Sequence, residues 1–200
     1  MSTQEHATPF AFTPENLEKA KKIIARYPAG RQQSAVMPLL DLAQRQVGWV
    51  NVPVIEYIAE MLDMAPIRVQ EVVTFYTMYN QQPVGRNHVQ VCTNICCLLR
   101  GSDGIADAAR LALVVDFGET TPDGAFALSE VECLGACTNA PMMQINDDYY
   151  EDLTPESTRT ILDTLRRGET PKPGPQNGRQ FSAPEGGPTT LLTISGTEKA

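Results

Sequence analysis

The five cysteines of this chain lie in two short groups, and their spacing constrains the fold more than any other feature. The first group, Cys92, Cys96 and Cys97, lies in the run VCTNICCLLRG, and the second, Cys133 and Cys137, lies in VECLGACTNAP. With Cys97 as its second member, the pattern is C-x4-C, a long interval, and then C-x3-C. Two pairs of thiolates on two loops can close around one compact soft-metal centre. The fold must therefore bring both loops to one place.

The charge of the chain and its first residues limit the classes of partner. The net charge is -8 and the pI is near 4.8, which argues against nucleic acid and against a polybasic membrane-surface anchor. The segment MSTQEHATPF has neither the basic nor the apolar region of a secretory signal. No apolar run approaches the roughly 18 residues of a membrane span. We expect a cytoplasmic protein with no direct membrane insertion, in which clustered cysteines bind metal or do redox chemistry.

The spacing favours a [2Fe–2S] cluster over other uses of cysteine. A redox dithiol requires C-x-x-C, which is absent, and structural zinc prefers tighter C-x2-C knuckles. A plant-type ferredoxin requires a cysteine at position 100, where this chain has Arg100. A Rieske centre requires two histidine ligands, but His88 lies in a predicted strand and His6 in the N-terminal segment. A zinc-stabilised adaptor without a redox role stays open as the alternative.

Cys96 and Cys97 compete for one ligand position. Neighbouring side chains in an irregular loop point apart, so we expect only one of the two to bind metal. The x4 spacing favours Cys97, which leaves Cys96 as a small buried hydrophobe or a spare thiol. The predicted ligands are Cys92, Cys97, Cys133 and Cys137.

The residues around the cysteines fit such a centre. Gly101 and Gly135 permit a close approach of the backbone to the cluster. Acidic Glu130 and Glu132 either lower the reduction potential or are solvated strand residues with little effect. Apolar side chains near both groups are predicted to exclude water or to pack in the core: Ile95, Leu98, Leu99, Leu134, Met142 and Met143.

Hydrophobic periodicity divides the chain into four parts. Residues 1–12 are predicted to be a flexible N-terminus, and residues 13–82 a bundle of four helices. The predicted helices begin at Pro14, near Ser34, at Pro53 and at Pro66, and the last reaches about Tyr79.

The pattern changes at Pro83, and residues 83–168 are predicted to form a small α/β sandwich of thioredoxin-like type. Its predicted strands cover 88–91, 126–131, 141–145 and 149–151, and its helices cover 101–113 and 155–167. In residues 169–200, Pro and Gly supply 10 of 32 positions. This tail is predicted to be ordered by a partner, with Leu191 to Ile194 as a candidate contact, and an idle tail stays open as the alternative.

The cysteine runs closely resemble a known family. VCTNICCLLRG, GETTPDGAFALSEVECLGACTNAPMMQINDDYYEDLTPE and the helical run EVVTFYTMY resemble the thioredoxin-like [2Fe–2S] subunit of proton-pumping NADH:quinone oxidoreductases. The resemblance covers about residues 12–167 and implies one [2Fe–2S] cluster on Cys92, Cys97, Cys133 and Cys137. Cys96 departs from the family pattern.

The resemblance also implies the partners. A neighbouring subunit would hold FMN and NAD, in agreement with the absence of a G-x-G-x-x-G or P-loop motif here. This chain would be an electron-transfer subunit without acid, base or nucleophile. It would lie with the other peripheral-arm subunits on the cytoplasmic side of the membrane. Relatives of the same fold serve NAD-linked hydrogenases and formate dehydrogenases, which stay open as alternative parent complexes.

Overall fold

The computed structural model describes residues 9–184, 186, 187, 189 and 190. The chain divides into two compact units, Met1–Val84 and Gly85–Ala200. No helix in the described ranges is both long and apolar enough to cross a membrane.

Over its described residues, the first unit contains four α-helices, as the periodicity predicted. They are α1 (Pro14–Ile24), α2 (Val36–Val47), α3 (Val52–Met61) and α4 (Pro66–Phe75), with a 3-10 turn at Gln32–Ala35 before α2. Thr13 caps α1 by accepting a hydrogen bond from the Asn16 backbone N–H, and Asn51 caps α3 through Val54. Helix α4 is shorter than predicted, because Tyr76 adopts an extended backbone conformation that ends it.

Aromatic residues before α1 belong to the core of this unit. Phe12 is buried, and Phe10, Phe12 and Tyr57 contact one another edge to face, with ring centroids 5.3–5.5 Å apart. The structure differs here from the prediction of a flexible segment over residues 1–12, since Phe10 and Phe12 are packed. Residues 1–8 lie outside the described ranges.

The second unit is built on a mixed sheet, which has six strands within the described part of the chain. They are β1 (Asn87–Cys92), β2 (Glu119–Thr120), β3 (Phe126–Val131), β4 (Met143–Ile145), β5 (Asp148–Glu151) and β6 (Gly174–Pro175), in the order β2-β3-β1-β4-β5-β6. β1 is parallel to β3 and antiparallel to β4. Strand β3 has its predicted bounds, whereas the two-residue strands β2 and β6 escaped prediction because they are too short for a periodic pattern.

The second unit also contains the helices α5 (Ile95–Leu99), α6 (Ser102–Leu113) and α7 (Pro155–Arg166). α7 begins with the predicted Thr154 cap, in which the Thr154 and Ser157 side chains each accept from the other's backbone N–H. Buried residues of α6 and α7 pack on the sheet in one apolar core with Val89, Leu128 and Tyr150. This arrangement agrees with the predicted thioredoxin-like sandwich.

Part of the tail packs on the second unit. β6 pairs in parallel with β5, and the Gln176 N–H donates to the Glu151 carbonyl oxygen at 2.9 Å. The structure differs here from the prediction of a tail ordered by a partner, because contacts within the chain hold this segment. The predicted contact from Leu191 to Ile194 lies outside the described residues.

Candidate metal centre

The parallel pairing of β1 and β3 brings the two cysteine groups together. Cys92 is the last residue of β1 and is paired with Val131, the last residue of β3. Because parallel strands end at the same edge of a sheet, the loops that follow them start side by side. Cys97 lies in α5 after the first strand, while Cys133 and Cys137 lie in the loop after the second. The fold therefore brings both cysteine groups to one edge of the sheet, as a shared metal centre requires.

The predicted ligands form one close pair on each loop. The Sγ atoms of Cys133 and Cys137 are 3.3 Å apart, and Cys92 and Cys97 belong to one buried cluster. The two loops also lie beside each other, since Cys96 on the first helps to raise the pKa of Cys137 on the second. All five cysteines are free of disulfides.

The two pairs of thiols supply the four ligands that a two-iron centre needs. In a [2Fe–2S] cluster four thiolates are shared between two irons, so two pairs on two loops suffice. The donor set and its arrangement fit the [2Fe–2S] group.

The two pairs differ in their exposure to solvent. Cys92 and Cys97 are each 2% exposed, and an apolar cluster with Ala140 and Met142 surrounds them. Cys133 and Cys137 are exposed. The site therefore has a dry inner side and an accessible outer side.

Of the apolar residues that the sequence placed near the centre, some line it and others do not. Met142 and Leu134 belong to the apolar cluster around Cys92 and Cys97, and Met143 packs in the sheet core. The α5 residues Ile95, Leu98 and Leu99 face solvent, and Leu99 is 80% exposed.

A backbone N–H group points at one of the sulfurs, since Gly135 donates to Cys133 Sγ at 3.4 Å. Gly135 has φ +86, a left-handed conformation that strongly favours glycine. Such donors stabilise the thiolate, which is the form that binds metal.

The thiols nevertheless differ in acidity. The Gly135 N–H and the Cys137 thiol lower the pKa of Cys133. Burial, together with Cys92, raises the pKa of Cys97 to about 12, and the neighbouring thiols of Cys133 and Cys96 raise the pKa of Cys137 to about 11. Cys97 and Cys137 would therefore have to lose their protons in order to hold iron as thiolates.

Further side chains connect the segments around the cysteines, and sequence reasoning missed these contacts. The Thr93 hydroxyl donates to Glu130 at 2.6 Å, and the Asn94 amide donates to Glu132. The Tyr149 hydroxyl donates to the Leu134 carbonyl oxygen at 2.9 Å. Thr93 and Asn94 directly follow Cys92, so their place beside the site was foreseeable, but their partners were not.

The fold and its grouped cysteines define a [2Fe–2S] protein of the thioredoxin-like class. The family described as thioredoxin-like [2Fe-2S] ferredoxin matches residues 20–166 of the chain. Among the E subunits of NADH-quinone oxidoreductases, that of Rickettsia bellii is 56% identical to this chain over 160 residues, a match that covers 80% of this chain and 96% of the relative. The chain is 52% identical over 189 residues to the mitochondrial NADH dehydrogenase [ubiquinone] flavoprotein 2 of Dictyostelium discoideum, covering 94% of this chain and 76% of that one.

The chain therefore belongs to the thioredoxin-like [2Fe–2S] ferredoxin family, and within it to the E subunits of NADH–quinone oxidoreductases. The resemblance that the cysteine runs indicated is confirmed. A crystal structure of an NAD+-reducing [NiFe]-hydrogenase in the H2-reduced state has the same fold, with a TM-score of 0.59 at 15% identity. That match covers 66% of this chain and 22% of the hydrogenase chain, and it bears on the fold alone.

Proposed function

We propose that the protein holds one [2Fe–2S] cluster on Cys92, Cys97, Cys133 and Cys137 and carries electrons as a subunit of an NADH–quinone oxidoreductase. The observation that carries this proposal is the meeting of two thiol pairs at one edge of the sheet. When bound, such a cluster takes up and releases one electron at a time. The residues of this chain supply its ligands, an N–H donor and its dry inner side.

The exposed side of the site supports a partner subunit as the source of electrons. Cys133 and Cys137 face solvent, and the exposed residues Ile95, Leu98 and Leu99 lie on helix α5 with Cys96 and Cys97. An apolar rim around an accessible redox site is a surface that a partner covers. The partner that we propose is the subunit that binds FMN and NADH, in a peripheral assembly on the cytoplasmic side of the membrane.

The ligand assignment is tested by replacing each cysteine in turn with serine. Cys92→Ser, Cys97→Ser, Cys133→Ser and Cys137→Ser should each lose or alter the cluster, because a thiolate ligand is removed. The purified variants are compared by anaerobic visible spectroscopy and by EPR before and after dithionite reduction. The wild-type protein should be red-brown, EPR-silent when oxidised, and should give one spin-half signal when reduced.

Cys96→Ser is the matched control, because it removes a neighbouring thiol that we do not assign as a ligand. It should keep the wild-type iron content and spectrum. Normal iron in the four ligand variants would refute the assignment, and a colourless wild-type protein with one bound zinc would refute the electron-transfer function. Co-purification of the FMN-binding subunit with the tagged chain tests the parent complex.

A further inference from the structure

The tail of the chain crosses the segment that follows Cys137. After β6, residues 176–183 continue beside the end of β5, and we call residues 174–183 the C-terminal strap. The short 3-10 turn Cys137–Asn139 carries the last predicted ligand at its first residue. This turn is held to the end of β5 by a backbone hydrogen bond of 2.8 Å from the Asp152 N–H to the Asn139 carbonyl oxygen. The strap, the turn and the end of β5 therefore meet at one place.

Arg179 of the strap joins these three segments. Its Nε and Nη2 donate to the two carboxylate oxygens of Asp152, each at 2.6 Å, and Nη2 also donates to the Thr138 carbonyl oxygen at 2.8 Å. The side chains of Arg179 and Asp152 are only 10% and 5% exposed. This two-pronged ion pair is largely shielded from water, so its geometry is defined. The ion pairs on the surface of this unit are exposed and are less well fixed.

Asn139 provides a second attachment of the turn to the strap. Its side chain is 1% exposed, and its Nδ2 donates to the Phe181 carbonyl oxygen at 2.9 Å. The same amide lies 3.4 Å from Asp152 Oδ2. Both residues that follow Cys137 are thus fastened to the strap, one through its backbone carbonyl and one through its side chain.

We infer that Arg179 is a positioning residue of the cluster site, which clamps the Cys137–Asn139 turn between the strap and Asp152. This inference rests on the proposed function only in so far as Cys137 binds iron. The Cys133–Cys137 pair is the exposed pair, so it lacks the apolar packing that fixes Cys92 and Cys97. The clamp supplies the rigidity that packing does not, as residues behind metal ligands commonly do.

The test uses the full-length protein with its cluster and three variants. In Arg179→Ala, the rate at which EDTA removes the visible absorbance of the cluster should rise about tenfold, the lower end of the effect of losing a residue that supports a ligand. Arg179→Lys keeps the charge but not the two-pronged contact, and should fall between this variant and wild type. Far-UV circular dichroism is followed in parallel, and the EPR spectrum of the reduced cluster should change in Arg179→Ala.

Arg167→Ala is the matched control. Arg167 also forms an ion pair, with Glu169 at 3.1 Å, but this pair is exposed and touches neither cysteine loop. EDTA should remove the cluster from the Arg167→Ala variant at the wild-type rate. A wild-type rate in Arg179→Ala, or cluster loss that only follows unfolding, overturns the clamp.

Hydrogen exchange separates a failure of the clamp from a failure of the proposed function. If the wild-type protein holds no cluster, the proposed function fails. The clamp is then tested through the Asp152 amide, whose bond to Asn139 ties the turn to β5. Faster exchange of this amide in Arg179→Ala than in Arg167→Ala supports the clamp, and equal exchange overturns it.

Discussion

At the scale of single residues, Glu130 and Glu132 have two roles beside the second cysteine loop. They accept hydrogen bonds from Thr93 and Asn94, so they connect the segments around the cysteines. They also place two carboxylates next to a site that gains negative charge when it is reduced. The hydrogen bonds hold these carboxylates in place, which favours the interpretation that they affect the reduction potential over that of freely solvated side chains.

Replacing both carboxylates with amides should raise the reduction potential of the cluster. Glu130→Gln with Glu132→Gln keeps an oxygen that can accept from Thr93 and Asn94, but it removes the charge that disfavours the added electron. We expect an upward shift on the order of tens of millivolts, the scale that an interaction of about 1 kcal/mol gives for a one-electron couple. An EPR-monitored redox titration measures it.

Glu169→Gln serves as the charge control for this titration. Glu169 lies beyond the C-terminal end of the 12-residue helix α7, which begins close to β5 and is about 18 Å long. Its removal should leave the potential unchanged. An equal shift in the control, or no shift in the double variant, would show that the two glutamates exert no specific effect.

At the scale of elements, the site depends on the parallel pairing of β1 with β3. Gly85 precedes β1 and lies against the start of β3, at the end of the pair opposite the cysteines. A Cβ at Gly85 would lie 2.5 Å from the Phe126 carbonyl carbon and 2.7 Å from the Ala127 nitrogen. These are backbone atoms of a central strand, which cannot move aside as a flexible side chain would.

Gly85→Ala should therefore destabilise the second unit by roughly 1–3 kcal/mol, the usual cost of overpacking. Urea-induced unfolding, followed by far-UV circular dichroism, gives the change in free energy. Gly104→Ala is the control, because a Cβ there meets only the Pro155 side chain at 3.6 Å, an ordinary contact, within helix α6. It should be neutral or slightly stabilising, since alanine is the better helix former. Similar losses in both variants would contradict the close approach.

At the scale of the whole molecule, the stability of the sheet should depend on pH through His88. Its Nε2 lies 2.8 Å from the Ser129 hydroxyl, across the β1–β3 pair. Burial lowers the pKa of His88 from its ordinary value of 6.5. As the pH falls, His88 therefore gains a proton in the unfolded chain before it does so in the folded chain. The contribution of His88 to the free energy of unfolding is fully present above about pH 6.5. It is lost as the pH falls toward the pKa of His88 in the folded state.

The matching experiment measures the urea midpoint of the protein between about pH 7.5 and about pH 5.5. The midpoint should fall over this range in wild type, and the fall should be smaller in His88→Gln, which has no proton to gain. Carboxylates elsewhere affect both proteins equally, so only the difference between the two curves reports on His88. Parallel curves would mean that His88 does not contribute to the dependence on pH.

The sequence determined those features that depend on local order along the chain. Proline at the first turn of a helix, a capping threonine and alternating apolar residues predicted the start of α1, the start of α7 and the bounds of β3. The spacing of the cysteines, with the family resemblance, was sufficient to propose the cluster and its four ligands. These signals are local because a helix or strand is selected by residues a few positions apart.

The tertiary structure alone decided which distant residues meet. The contact of Arg179 with Asp152 spans 27 residues, and that with Thr138 spans 41. The effect of Cys96 on the pKa of Cys137 and the burial of Phe12 likewise left no periodic signal in the sequence. A strap rich in Pro and Gly has little apolar surface, so it is ordered by a few specific polar contacts. Such contacts depend on where the whole fold places each donor and acceptor, and no short stretch of sequence contains that information.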